Sequence, residues 1–163
     1  MTHFKEKALS SSPIQPVCWY RKVDDTLVVL RKDKYPTSLL QHLNTQHSRI
    51  KFTMETVNDN KLPFLDVLVS RDPCNKIQTT VYRKPINSDQ YIHFNSTHPP
   101  KTKSGVISTL TRRAKKICSR SDDLEHELNH LQRVFTNLNQ YPTKLVKRTI
   151  AITLQDKPKL TKH

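Results

Sequence analysis

Glycine is nearly missing from this sequence: Gly105 is the only one in 163 residues, against ten prolines. A backbone turn with positive φ is cheap only for glycine, so turns here have to rely on Asn, Asp and Pro. Cysteine is scarce as well. Cys18, Cys74 and Cys118 are odd in number, far apart and without CxxC spacing. That argues against a disulfide framework or a zinc knuckle and favours reduced, partly buried thiols. Apolar residues make up only 34%, so any core is economical, yet clear apolar runs argue against wholesale disorder. None of these runs is long enough to cross a bilayer. No signal-peptide pattern opens the sequence, and the expectation is an intracellular chain, nuclear or cytoplasmic. The sequon Asn95-Ser96-Thr97 then has no secretory context.

Acidic residues are in deficit. There are 28 Lys and Arg against 14 Asp and Glu, a net charge of +14. Residues 1–60 carry 9 basic and 6 acidic residues, 9 − 6 = +3, and residues 61–163 carry 19 and 8, 19 − 8 = +11. The first partner this implies is nucleic acid, with an anionic surface second, and the C-terminal part would hold it.

The length fits one domain or two small ones. "HFKEKAL" (3–9) reads as the end of a helix, with Phe4, Ala8 and Leu9 on one face, and "SSSPIQP" (10–16) as a linker. Val17–Val23 and Thr26–Leu30 read as two strands around an Asp24-Asp25 turn. Pro36 opens a helix to about Gln46, with Leu39, Leu40 and Leu43 as its stripe. Three strands are expected over 50–57, 62–70 and 77–83, joined by "NDNK" and "RDPCNK", as an antiparallel meander. After a polar stretch from Lys84 to Pro100, helical spacing places Ile107, Leu110, Ala114 and Ile117 on one face. Leu124, Leu128, Leu131, Phe135 and Leu138 form a second stripe, with Ser121 or Asp122 as N-cap. "NQYP" (139–142) breaks the pattern, a short third helix follows over 143–152, and the polar tail from Leu154 is expected to fray.

Four constellations bear on chemistry. Asp24 and Asp25 are adjacent hard carboxylates of the kind Mg2+ takes with substrate phosphates, or else the polar tip of a hairpin. Arg83, Lys84, Lys101, Lys103, Arg112, Arg113, Lys115 and Lys116 form a basic loop and helix face, suited to phosphates or simply solvated. Tyr82, Tyr91 and Phe94 nearby are stacking candidates, better read as core or loop anchors. "HELNH" (126–130) matches the zinc-protease spacing. Its two histidines are expected to face solvent opposite the leucine stripe, and no convincing third ligand follows. Asp66, within an apolar strand, reads as lying on the exposed pleat face.

Taken in order, these segments carry a resemblance. "WYRKVDDTLVVL" resembles the strand-turn-strand of the reverse transcriptase palm. "HLNTQHSRIKFTMETVNDNKLPFLDVLVSR" and "TTVYRKPINSDQYIHFNSTHPPKTKSGVISTLTRRAKKIC" resemble the C-terminal palm and thumb of Penelope-like retroelement reverse transcriptases. Residues 103–150 resemble the animal helix-turn-helix domain found in such elements. The resemblance covers about residues 1–150. It implies RNA-directed DNA synthesis with Mg2+. Asp24 is then the firmer metal ligand, Asp25 the more peripheral one, and a third aspartate lies upstream of this sequence, so the chain alone is expected to be catalytically incomplete. Two positions depart from the family pattern. Lys22 replaces an aromatic residue before Val-Asp-Asp, where it would meet a phosphate instead of stacking, and Gln140 replaces the glycine of N-G-Y-P.

The expected fold is α+β: a partial antiparallel palm sheet over 1–95, then a helical thumb or helix-turn-helix bundle with a basic tail over 96–163. The expected partner is a template–primer duplex or RNA, with no membrane. Association through an exposed palm edge and modest stability are expected too. The competing reading is an exapted helix-turn-helix DNA-binding or scaffold protein without enzymatic activity.

Overall fold

A computed structural model describes residues 2–155. The tail expected to fray lies mostly beyond them, and Phe4 lies outside the described side chains. The chain is α+β and forms two compact units, Met1–Asn58 and Asp59–His163.

In the first unit, helix α1 (Thr2–Ser10) precedes strands β1 (Cys18–Lys22) and β2 (Asp25–Val29), and helix α2 (Pro36–Thr45) follows. Pro36 opens α2 where its missing N–H costs no helical bond. Ala8, Leu39 and Leu43 form a small core with Trp19, Val28, Leu30 and Phe52 against it. His42 Nε2 lies 2.8 Å from Ala8 O, which ties α2 to a carbonyl near the end of α1.

The segment expected as a strand over 50–57 is irregular. Its backbone is held by a side chain: Phe52 N–H donates to Asn44 Oδ1 at 2.7 Å, and Asn44 Nδ2 donates to Phe52 O at 3.1 Å. The amide of Asn44 thus takes the place of a neighbouring strand.

The second unit opens with a meander, β3 (Lys61–Phe64), β4 (Val67–Arg71) and β5 (Ile77–Val81), in that spatial order and antiparallel. The run 62–70, expected as one strand, is a hairpin. Phe64 pairs with Val67, so Leu65 and Asp66 form a two-residue turn with Leu65 at φ 57°. Leucine at positive φ carries no compositional signal, so an unbroken apolar run hid the turn.

Helices α3 (Pro100–Ile117), α4 (Ser121–Arg133) and α5 (Thr143–Gln155) enclose the main core of Ile107, Leu131, Phe135, Tyr141, Val146 and Ile150. The residue before α4 is Arg120, without a side-chain cap bond, so neither Ser121 nor Asp122 serves as N-cap. After α4 the chain widens into one π-helical turn, Val134–Leu138. That change of pitch shifts the stripe: Phe135 is fully buried while Leu138 is 55% exposed.

The "NQYP" break then closes on named contacts. Asn139, nearly buried, accepts from Tyr91 N–H at its side chain (2.8 Å) and from Phe94 N–H at its carbonyl (2.9 Å). Gln140 sits at φ 58°, and Tyr141 N–H reaches back to Phe135 O at 2.9 Å. This is the left-handed helix ending that glycine ordinarily makes.

Candidate nucleic-acid interface and the aspartate hairpin

In the hairpin of the first unit, Lys22 pairs with Asp25. The two turn residues are therefore Val23 and Asp24, one position earlier than expected, and Asp25 opens β2. Val23 has φ 53° and Asp24 does not share it, the φ pattern of a type II′ turn. A β-branched residue in that region is a genuine outlier, of the kind that clusters at functional sites. Lys22, Val23, Asp24 and Asp25 are all exposed. Two adjacent exposed carboxylates match the hard-oxygen donors of Mg2+, which takes one or two protein carboxylates and completes its shell with phosphate and water. Among the described residues no group of three or more His, Cys, Asp or Glu side chains converges on a common metal position.

In the second unit the expected cations fall into two sets. The first set is engaged within the fold. Arg83 donates from Nη1 to Glu127 Oε2 at 2.8 Å and from Nη2 to Glu127 Oε1. Its Nε lies 3.4 Å from Asp89 Oδ1, too poorly aligned for a hydrogen bond. The bond to Glu127 raises the guanidinium pKa further, so Arg83 stays charged and neutralised in place. Arg113 pairs with Asp66 at 3.3 Å, giving Asp66 a partner that its reading as a plain exposed residue lacked. Lys103 Nζ donates to Ser96 O at 2.7 Å and lies over the Phe94 ring at 5.4 Å. Lys115 Nζ donates to Leu154 O at 2.7 Å, capping the C-terminal end of α5.

The second set is marked by exposure alone: Lys84, Lys101, Arg112 and Lys116, of which Arg112 also interacts within the protein. At about 100° per residue, Lys101, Arg112 and Lys116 fall within about 60° of one another on α3. The core side of the same helix is marked by Ile107, Thr111 and Ala114. The three cations span about 22 Å of helix axis. Neighbouring α4 has the opposite character: four acidic residues and one arginine, 1 − 4 = −3 with His neutral.

The "HELNH" motif is accounted for by this packing. Glu127 is buried against Arg83 and is no free base. His126 is exposed as expected, but His130 is half-buried, with Nε2 3.0 Å from Asp89 Oδ2 in a bent approach. An open groove of about 300 Å3 runs beside them, with Cys118 on its wall. Burial raises the Cys118 thiol pKa, the reverse of nucleophile activation.

Tyr91 stacks on Phe135 at 5.4 Å and Phe94 packs on Tyr141 at 5.3 Å, so both aromatics are core anchors. Sequence reasoning missed the pairing of Glu127 with Arg83, the part played by Asp89, and the Thr79–Ser119 pair. Thr79 N–H donates to Ser119 Oγ at 3.0 Å, Ser119 N–H returns to Thr79 O at 3.0 Å, and Thr79 Oγ1 donates to Ile117 O at 2.6 Å. These contacts join β5 to the end of α3 across about forty residues, and no local pattern marks them.

Residues 90–151 match the family model of the animal helix-turn-helix domain, which points to DNA binding by this segment. No curated protein and no solved structure gives a significant match. Among the described residues no helix is long and apolar enough to cross a membrane.

Proposed function

We propose that this chain derives from the C-terminal palm and thumb of a Penelope-like reverse transcriptase, and that it holds a nucleic-acid duplex by its phosphates along the outer face of α3. The observation that carries the reading is the alignment of Lys101, Arg112 and Lys116 on one exposed face, inside the segment that matches the helix-turn-helix family. Three cations along about 22 Å suit a phosphate backbone. The acidic character of α4 opposes its entry into a groove as a base-reading helix. Backbone holding is therefore favoured over sequence reading.

Two backbone features support the lineage. Gln140, at the family's glycine position, has the positive φ that glycine would take there. The aspartate hairpin carries the strained Val23 beside exposed Asp24 and Asp25. When bound at such a hairpin, Mg2+ would activate a primer hydroxyl and stabilise the leaving pyrophosphate. Asp24 and Asp25 would supply carboxylate oxygens, and Lys22 a phosphate contact. The reading is that the chain alone binds a duplex without polymerising.

The test is a titration of labelled duplexes of about 20 bp, varied in sequence, from about 50 to about 200 mM salt. The reading expects log K to fall linearly with log salt, at about −0.9 per phosphate contacted, with little sequence preference. Marked preference for one sequence would support the exapted DNA-reading module instead, and absence of binding would end the proposal. Primer extension with Mg2+ that disappears in Asp24→Asn would overturn the statement that the chain alone does not polymerise.

A further inference from the structure

Gly105 lies in the interior of α3, five residues after Pro100 and twelve before Ile117. Glycine is, after proline, the least favourable residue in a helix interior. Three internal reasons that favour glycine within a helix do not apply here. Its φ is not positive. It ends no helix, and α3 runs through it without interruption. A Cβ built on it meets no atom within 4 Å, so no neighbour requires its absence. What the position offers is room: without a side chain it lets another backbone approach closely.

Its position on the helix says which. At about 100° per residue, Gly105 falls about 40° from Lys101, with Arg112 and Lys116 about 20° to either side of it. It therefore sits in the middle of the cationic face, about 6 Å along the axis from Lys101 and about 10 Å from Arg112. Its amide is within the helix ladder, so what it offers is the absence of a side chain, not a donor. We infer that Gly105 is the point at which the sugar-phosphate backbone of a bound duplex comes closest to α3, with the lysines and arginine on either side reaching the flanking phosphates. This rests on the duplex-binding reading above and assigns its contact point.

The experiment uses the full chain and a random-sequence DNA duplex of about 20 bp, with Gly105→Ala, Gly105→Leu and, in parallel, Arg112→Ala and Lys116→Ala. Both Gly105 variants should melt above the wild type, because helix propensity rises and the space is open. Both should bind more weakly, Leu more than Ala, with about a tenfold loss for Leu and a salt slope shallower by about one for each phosphate that the variant no longer reaches. If Gly105→Leu melts higher and binds like the wild type while the Arg112 and Lys116 variants bind weakly, the inference fails and the duplex-binding reading stands. If no variant changes binding, the α3 face is not the interface and both fail. Gly105 variants that melt below the wild type also overturn the inference, since the fold itself would then require glycine.

Discussion

Helices α3 and α4 pack on one core and yet carry opposite charge. Each buries an amphipathic stripe, Ile107, Thr111 and Ala114 from α3 and Leu131 from α4. Over its whole length α3 has six basic and no acidic residues, whereas α4 has four acidic residues, buried Glu127 among them, and one arginine. Burial sets the stripe and leaves the opposite face open to other demands. On α4 part of that charge is turned inward, where Glu127 holds Arg83 and fastens the chain after β5 to the helices. On α3 Arg113 and Lys115 are used in the same structural way, while Lys101, Arg112 and Lys116 line the outside. Two helices of similar amphipathicity thus divide into one that turns acidic charge inward and one that keeps basic charge outside, the face proposed above for a duplex.

The severest way to break this comparison is to remove what the helices share. Phe135, fully buried at the π-helical turn, stacks with Tyr91 and meets Tyr141 edge-on. Phe135→Ala should cost about 3–5 kcal/mol, read as a lower denaturation midpoint. An unchanged midpoint would mean that this cluster is not the core.

Breaking the inward use of charge comes next. Glu127→Gln leaves Arg83 half-buried with one partner fewer and should cost about 2 kcal/mol, less than a fully enclosed pair because the guanidinium is partly solvated. Duplex affinity should be untouched once the protein is folded. A drop in affinity without a drop in stability would place Arg83 and Glu127 in the interface.

A smaller effect sharpens the account of the helix ending. Gln140→Gly relieves a non-glycine residue at φ 58° and should raise stability by about 0.5–1 kcal/mol in thermal melting. A loss would mean that the Gln140 side chain does something else.

The smallest effect is a pH dependence. Burial raises the pKa of both Cys118 and Tyr141, and the Tyr141 hydroxyl donates to Ile92 O at 2.8 Å. Each group holds its proton more tightly folded than unfolded. Their contribution is therefore complete below the unfolded pKa and declines above it, from about pH 8.5 for the thiol and about pH 10 for the phenol. Cys118→Ala should remove the earlier part of that decline.

Much of the architecture is legible in the sequence where one physical signal dominates. The helical periods of α3, α4 and α5, Pro36 at the start of α2 and the strand pair around the aspartates all follow from pattern and turn chemistry. Pattern fails where a residue acts against its type or through a distant partner. Leu65 and Val23 occupy positive φ without being Gly, Asn or Asp, so one turn is hidden and the other displaced by a residue. Asn44 replaces a strand as the partner of Phe52. Of the basic residues, charge and helical phase indicate a cationic α3, but sequence alone does not separate Arg83, Lys103, Arg113 and Lys115 from the outward set. Their partners Glu127, Ser96, Asp66 and Leu154 lie up to 47 residues away.

The most direct test of the central claim is the salt dependence of duplex binding for two charge-altered proteins. One carries Lys101→Ala, Arg112→Ala and Lys116→Ala on α3, and the other Asp122→Asn and Glu125→Gln on α4. The account predicts that the α3 variant flattens the slope of log K against log salt by about three. It predicts that the α4 variant keeps the wild-type slope. Equal slopes for the wild type and the α3 variant, or a larger change from the α4 variant, would contradict it.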